Sequence, residues 1–429
     1  MDSATTHIET ENNKPVLSDS RRVPELRFKE FDGDIEETLF GSHYLFHTTN
    51  SLSRDKLNYD KGEVRNIHYG DIHTKFQTHF YLTNEYVPLI NEDVDLAKIK
   101  EDSYCKVGDL VIADASEDYA DIGKSIELID INNEKLLAGL HTFLARPSSE
   151  STAVGYMSCL LKSWKLRKQI MTIAQGTKVL SLSTGRVSKL KLNLPTLPEQ
   201  QKIASFLSAV DDKVQQLTKK KALLEDYKKG VMQQLFNGQL RFKDENGKDY
   251  PDWEENTFGG VARFINGKAY KQAELLDKGK YRVLRVGNLF TNNEWYHSDL
   301  ELDEDKYIDD GDLIYAWSAS FGPRFWNEEK VIYHYHIWKV VPNHDADKLY
   351  LFHAFMSDVD SIKSQSQGGT MFHITKGNIE SRKFSFPCLE EQQKIATYLS
   401  RIDTKIESVN TQITQTQAFK KGLLQLMFV

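Results

Sequence analysis

Apolar residues at Ile203, Leu207, Val210, Val214, Leu217, Leu224, Val231 and Leu235 recur at three- and four-residue spacing, the mark of a helix with one apolar stripe. The same spacing returns at Ile395, Leu399, Ile402, Ile406, Val409, Ile413, Leu423 and Met427. Thr196 and Glu199 carry the letters of a capping box before the first stretch, and Asn237-Gly238 supplies a stop after it. Cys388 holds the cap position of the second. The spacing predicts two helices of about 38 residues, each roughly 57 Å long at 1.5 Å per residue.

The two stretches are copies. Residues 195–236 align with 387–428 at a constant offset of 192, without a gap, and 17 of 42 columns are identical. LPEQQKIASFLSAVDDKV is answered by LEEQQKIATYLSRIDTKI, and KKGVMQQLF by KKGLLQLMF. The match runs backwards to Gln175-Gly176 against Gln367-Gly368 and Gly185 against Gly377. A second duplicated segment precedes each variable region. Leu-Arg-Phe-Lys begins at Leu26 and again at Leu240, and each is followed by an acidic turn and then Phe40-Gly41 or Phe258-Gly259. Such a duplication governs the fold.

Between the copies the residues differ, but a skeleton persists. VRNIHYGDI (64–72) matches YRVLRVGNL (281–289), and KVGDLVIADAS (106–116) matches DDGDLIYAWSA (309–319). AGLHTFLARP (138–147) matches HYHIWKVVP (334–342), which sets His141 opposite His336 in strand-like alternation. SCLLKSWKLRKQIM (158–171) reads as helix. The expected fold is α+β, with two α/β domains separated by two long helices. The helices pair as an antiparallel intramolecular coiled coil, so the chain is a pseudo-twofold repeat. The alternative is that each helix docks only on its own domain. The expected divisions are a disordered tail at 1–20, a domain at 21–194, a helix at 195–237, a domain at 238–386 and a helix at 387–429. Ile203, Leu207, Val210 and Val214 of the first helix and Ile395, Leu399, Ile402 and Ile406 of the second are the expected coiled-coil positions.

Composition adds constraints. The 429 residues exceed one domain, and no apolar run is long enough to span a bilayer. Cys105, Cys159 and Cys388 are isolated, so neither a disulfide framework nor a zinc site is expected, which fits a reducing cytoplasm. The net charge of −7 argues against a free-standing DNA binder, since phosphate neutralisation needs cations. Catalytic patterns fail one by one. Ile122-Gly123-Lys124-Ser125 resembles the end of a P-loop, but Asp118 stands where its first glycine belongs. No Pro-Pro dipeptide exists for an amino-methyltransferase motif, and His43 and His47 lack the glutamate of a zincin. Pro251-Asp252 with Glu328-Glu329-Lys330 is spaced too widely for a nuclease. No catalytic residue and no metal site is expected.

The duplicated phrases and the Leu-Arg-Phe-Lys segments resemble the specificity subunit of type I restriction–modification systems, in a form common in Gram-positive bacteria. The resemblance covers essentially all of the chain beyond its first twenty residues, although the variable regions match only in skeleton. It implies a non-catalytic subunit with two target recognition domains, each reading half of a bipartite site in double-stranded DNA, and helices that set the gap. It also implies two modification subunits and two restriction subunits as partners. Those partners hold S-adenosylmethionine, ATP and Mg, with no cofactor in this chain, and they can supply the phosphate contacts that the acidic charge withholds. The candidates for DNA contact are then Arg65, His68 and Lys75 in the first domain, and Lys268, Lys271, Arg282 and Arg285 in the second. The basic run Lys162, Lys165, Arg167, Lys168 reads better as a helix face for a partner. A scaffold that merely spaces two protein-binding domains is the competing reading.

Overall fold

A run of four apolar residues preceded by Gly-Asp occurs twice, and both runs form the fully buried centre of a sheet. These are Leu110–Ala113 and Leu313–Ala316, each entered through a glycine with positive φ, Gly108 (+87°) and Gly311 (+80°). The computed structural model describes residues 23–290, 292–318, 321–365 and 374–429. The tail at 1–20 and the Gln367-Gly368 pair lie outside the described residues. The chain divides into two units, residues 1–216 with 412–429, and residues 217–411.

The first unit contains β1 (Glu36–Leu39), β2 (Tyr44–His47), β3 (Leu57–Asn58), β4 (Arg65–Ile67), β5 (His79–Tyr81), β6 (Leu89–Ile90), β7 (Leu110–Ala113), β8 (Ala115–Ser116), β9 (Ser125–Asp130), β10 (Leu136–Ala138), β11 (Thr142–Pro147), β12 (Leu180–Ser181) and β13 (Lys191–Leu194). Its helices are α1 (Phe40–His43), α2 (Tyr69–Thr74), α3 (Tyr156–Lys162), α4 (Trp164–Ile173) and α5 (Thr184–Val187), followed by α6 (Leu197–Phe236), which continues into the second unit. One sheet runs β2-β11-β7-β9-β5 and a second β10-β4-β6-β3, while β1 pairs with β13. The helix expected over 158–171 is two helices. Ser163 interrupts it, closing α3 and capping α4 with its hydroxyl on the Leu166 amide.

The second unit contains β14 (Glu254–Thr257), β15 (Ala262–Asn266), β16 (Tyr281–Leu284), β17 (Tyr296–Ser298), β18 (Tyr307–Ile308), β19 (Leu313–Ala316), β20 (Gly322–Phe325), β21 (Val331–Tyr333), β22 (Ile337–Pro342) and β23 (Lys383–Phe386). Helices α7 (Phe258–Val261), α8 (Lys348–Gln365), α9 (Lys376–Ser381) and α10 (Leu389–Leu426) complete it, the last ending in the first unit. The order β15-β22-β19-β20 repeats β2-β11-β7-β9, and β14 pairs with β23 as β1 does with β13. The registers coincide as well. Thr142 faces Ala113 where Ile337 faces Ala316, and Ala138 faces Ile67 in a parallel pair where Tyr333 faces Leu284. The skeleton expected from the sequence is therefore present at these paired positions.

The long helices pack antiparallel inside each unit. In the first, Ile203, Leu207 and Val210 of α6 share a core with Leu423 of α10 and with Met427 and Phe428 beyond its end. In the second, Ile395, Leu399 and Ile402 of α10 share one with Val231, Met232 and Leu235. These cores also contain domain residues such as Phe40 and Tyr156, or Phe258 and Phe355, so the seam is shared between helix pairing and domain docking. Val214 and Ile406 are only half-buried. Asp211 pairs with Lys420 at 2.5 Å, and Asp403 with Lys228 at 2.5 Å. An offset of 192 maps one pair onto the other.

The capping box expected at Thr196 and Glu199 is not how Glu199 is used. Glu199 is buried and its carboxylate takes two bonds of 2.8 Å from Arg27, the arginine of the first Leu-Arg-Phe-Lys. Glu391 likewise receives Arg241, and also Trp253 Nε1 at 2.7 Å. Next to them, Gln200 donates to the Ser151 and Pro195 carbonyls and accepts from Ala153 N–H. Gln392 does the same with Asp345, Pro387 and Asp347. The repeated Glu-Gln thus fastens each helix start to the entry segment and the domain before it.

Candidate nucleic-acid interface

In both units the loops at one end of the two sheets are tied together by the same backbone bonds. Asn50 N–H donates to Ala138 O, Gly139 N–H to Ile67 O and Asp114 N–H to His141 O. Lys268 N–H donates to Tyr333 O, His334 N–H to Leu284 O and Trp317 N–H to His336 O. Four positions therefore correspond at this edge: Asn50 with Lys268, His68 with Arg285, Asp114 with Trp317, and His141 with His336. The scaffold is common and the side chains differ at three of the four.

The first edge is polar. His68 caps α2, its Nδ1 accepting from Gly70 N–H at 3.1 Å, which leaves the ring proton on Nε2. Burial, then the Arg54 cation, lowers its pKa and keeps it neutral. Arg54 and Lys75 both pair with the buried Asp71, at 2.7 and 2.9 Å. Burial pushes the Asp71 carboxyl up, but hydrogen bonds from Arg54 and Lys75 outweigh it and hold it below its ordinary value. The Tyr69 ring lies 4.7 Å from His68 and 5.3 Å from His141, and His141 Nδ1 lies 3.3 Å from Asp114 Oδ1.

The second edge is cationic and aromatic. The Arg285 guanidinium stands 5.2 Å from the exposed Tyr296 ring, and Lys268 Nζ 5.7 Å from Tyr270 and 3.3 Å from Glu274. The rings of His334, Tyr335, His336 and Trp317 follow one another in tilted and edge-to-face contacts, with Tyr335 4.0 Å from His336 and Trp317 4.8 Å from it. Burial, then His336 and Arg285, brings the His334 pKa down to about 4. Lys271 is exposed on the loop beside Lys268.

Of the seven candidate DNA contacts, His68, Lys268 and Arg285 stand on this edge, with Lys75 and Lys271 beside it. Arg65 and Arg282 sit at the opposite end of their strands, in ion pairs with Glu134 (2.5 Å) and with Glu328 and Glu329 (2.8 Å each). The basic run also divides. Lys162 bonds Thr78, and burial followed by the Lys420 charge lowers its pKa to about 8, while Arg167 holds the Tyr119 and Ala120 carbonyls. Only Lys165 and Lys168 of that run are exposed. Sequence reasoning did not single out Asn50, Asp114 or Trp317. Asp114 and Trp317 each follow a buried strand directly and Asn50 lies in the loop after β2, so their signal is positional and needs the two copies in register.

Two patterns that resemble chemistry are structural. Cys159 Sγ lies 3.5 Å from His79 Nε2, and His79 Nδ1 4.0 Å from Asp211. Burial pushes that thiol up to about 12, and His79 Nε2 is bonded to Gly155 O at 2.8 Å, so no nucleophile forms. Gly123-Lys124 turns into strand β9, not a helix, and Lys124 Nζ bonds the His73 carbonyl. Among the described residues no His/Cys/Asp/Glu cluster could hold a metal and no helix is long and apolar enough to cross a membrane.

Comparison with known proteins gives a consistent picture. The type I restriction modification DNA specificity domain family matches residues 120–226 and 250–417. The chain is 28% identical over 349 residues, 77% of its length and 80% of the other's, to a Methanocaldococcus jannaschii protein named as a type I restriction enzyme MjaX specificity subunit. It is also 28% identical over 208 residues to the MjaVIII specificity subunit of that organism, covering 45% of this chain and 46% of that one. A crystal structure of the type I restriction–modification S subunit from M. genitalium superposes with a TM-score of 0.57 at 15% identity, covering 95% of this chain and 99% of that one.

Proposed function

Because the chain belongs to the family of type I restriction–modification DNA specificity subunits, we propose that it is the non-catalytic DNA-reading subunit of such a complex. Each unit reads one half of a bipartite site in double-stranded DNA, and the paired helices α6 and α10 set the gap between the halves. S-adenosylmethionine, ATP and Mg are bound by partner subunits. The observation that carries this reading is the pair of strand-end edges. One backbone frame presents two different sets of donors, acceptors and rings, as two half-sites of unlike sequence require. Lys75, Lys268 and Lys271 beside the edges suit phosphate contact.

The repeat also supports two equivalent docking places. In the first unit Lys421, Leu424, Gln425 and Phe428 line a groove of about 530 Å³ beside Trp164. In the second, Lys229, Met232, Gln233 and Phe236 line one of about 770 Å³. The two quartets occupy the same repeat positions and differ only at Met232 against Leu424, so two copies of one modification subunit would meet closely matched residues. Exchange of residues 41–175 for another such domain, with co-expressed modification subunit and base-resolution methylation mapping, tests the function. One half-site changes and the other stays. Change in both, or no defined bipartite site, overturns it.

A further inference from the structure

Asp114 is an unexpected residue at a DNA-facing edge. A carboxylate offered to a polyanion is repelled unless it meets a base donor, and its backbone is fixed on both sides. Its N–H is bonded to His141 O at 3.0 Å and its C=O receives Leu182 N–H at 2.8 Å. The side chain is 23% exposed, with Oδ1 held 3.3 Å from His141 Nδ1. Among the described residues Oδ1 is buried and has no hydrogen-bond partner, its approach to His141 being an ion-pair contact only. His141 itself adopts φ +55°, left-handed for a residue other than glycine, while the other two such residues among those described are asparagines in the turn after β9. Strain of this kind persists where the surroundings impose it, and it gathers at functional sites. Here the Asp114 N–H bond fixes the His141 backbone, and the Tyr69 ring and Asp114 Oδ1 flank its imidazole.

Resting on the function proposed above, we propose that Asp114 reads a base pair of the first half-site by accepting the exocyclic amino group of cytosine, with His141 as its positioning residue. Carboxylates accept from cytosine N4 in the major groove, whereas the corresponding Trp317 has no such acceptor. The two units therefore differ in chemistry at one shared position.

The test uses the full chain assembled with its modification subunit and methylation mapping over a randomised site library. Asp114→Ala should lower discrimination at a single base pair of one half-site by about 5- to 150-fold, leaving the other half-site as an internal control. Asp114→Asn, isosteric and suited to adenine, should shift preference at that base pair from cytosine toward adenine. His141→Ala should relax the same base pair more weakly. Should Asp114→Ala abolish assembly, Asp114→Asn carries the test. An assembled Asp114→Asn complex with unchanged base tolerance overturns the assignment of Asp114 and leaves the proposed function standing. Loss of adenine discrimination in place of cytosine overturns the choice of base. A wild-type complex that methylates no bipartite site overturns the function itself.

Discussion

Gln392 is 0% exposed and makes three hydrogen bonds that join α10 to the domain before it: Nε2 to Asp345 O (3.0 Å) and Pro387 O (2.8 Å), and Oε1 from Asp347 N–H (2.8 Å). Gln392→Leu keeps the volume but strands two carbonyls and one amide. At the low end of ~1–3 kcal/mol per orphaned group, the cost is about 3 kcal/mol. With a urea slope of about 2 kcal/mol/M, the midpoint of the second unit falls by about 1.5 M. Tryptophan fluorescence reports this transition selectively, because Trp253, Trp295, Trp317, Trp326 and Trp338 lie in the second unit and only Trp164 in the first. Gln392→Glu keeps the acceptor, loses both donors and buries a charge, so it should be at least as damaging. A shift below about 0.3 M for Gln392→Leu would show that the repeated glutamine is not an anchor.

Three further outcomes follow from other features. His353 is fully buried, and burial followed by the Lys228 charge lowers its pKa to about 3, so the folded state binds fewer protons than the unfolded state below pH ~6.5. The second unit should lose about 2 kcal/mol between pH 7 and pH 5, and His353→Gln should flatten that slope in urea titrations. Glu127 acts in the opposite sense in the first unit. Burial raises its carboxyl to about 7 against bonds from Gly155 and Ser158, so its contribution should fall as pH rises from 4.5 to 7, a trend that Glu127→Gln removes. Finally, Gln425→Arg should remove one bound modification subunit by native mass spectrometry, and Gln233→Arg together with Gln425→Arg should remove both.

The helices and the strand skeleton were legible because each leaves a period or a run in the sequence. Ile203, Leu207, Ile395 and Leu399 show the helical stripe, and Leu110–Ala113 is an unbroken apolar run. The role of Glu199 was not legible, since its partner Arg27 is 172 residues away and a glutamate near a helix start normally serves the cap. Ser163 reads as a polar residue on a helix face, although it divides two helices. At the edge, basic residue type pointed to His68, Lys268 and Arg285 but equally to Arg65 and Arg282, which the strands carry to the other end. Asp114 has the charge that such a search discards. Only the paired registers of β7 with β11 and β19 with β22 bring it beside His141 and into correspondence with Trp317.

If α6 and α10 measure the gap in the DNA site, lengthening both must lengthen the gap. Inserting one heptad after Gln216 and one after Thr411 adds about 10.5 Å to each helix, or about three base pairs at 3.4 Å each. Base-resolution methylation mapping of the assembled variant should show both half-sites unchanged and the gap lengthened by about three base pairs. An unchanged gap, or altered bases in either half-site, would contradict that role.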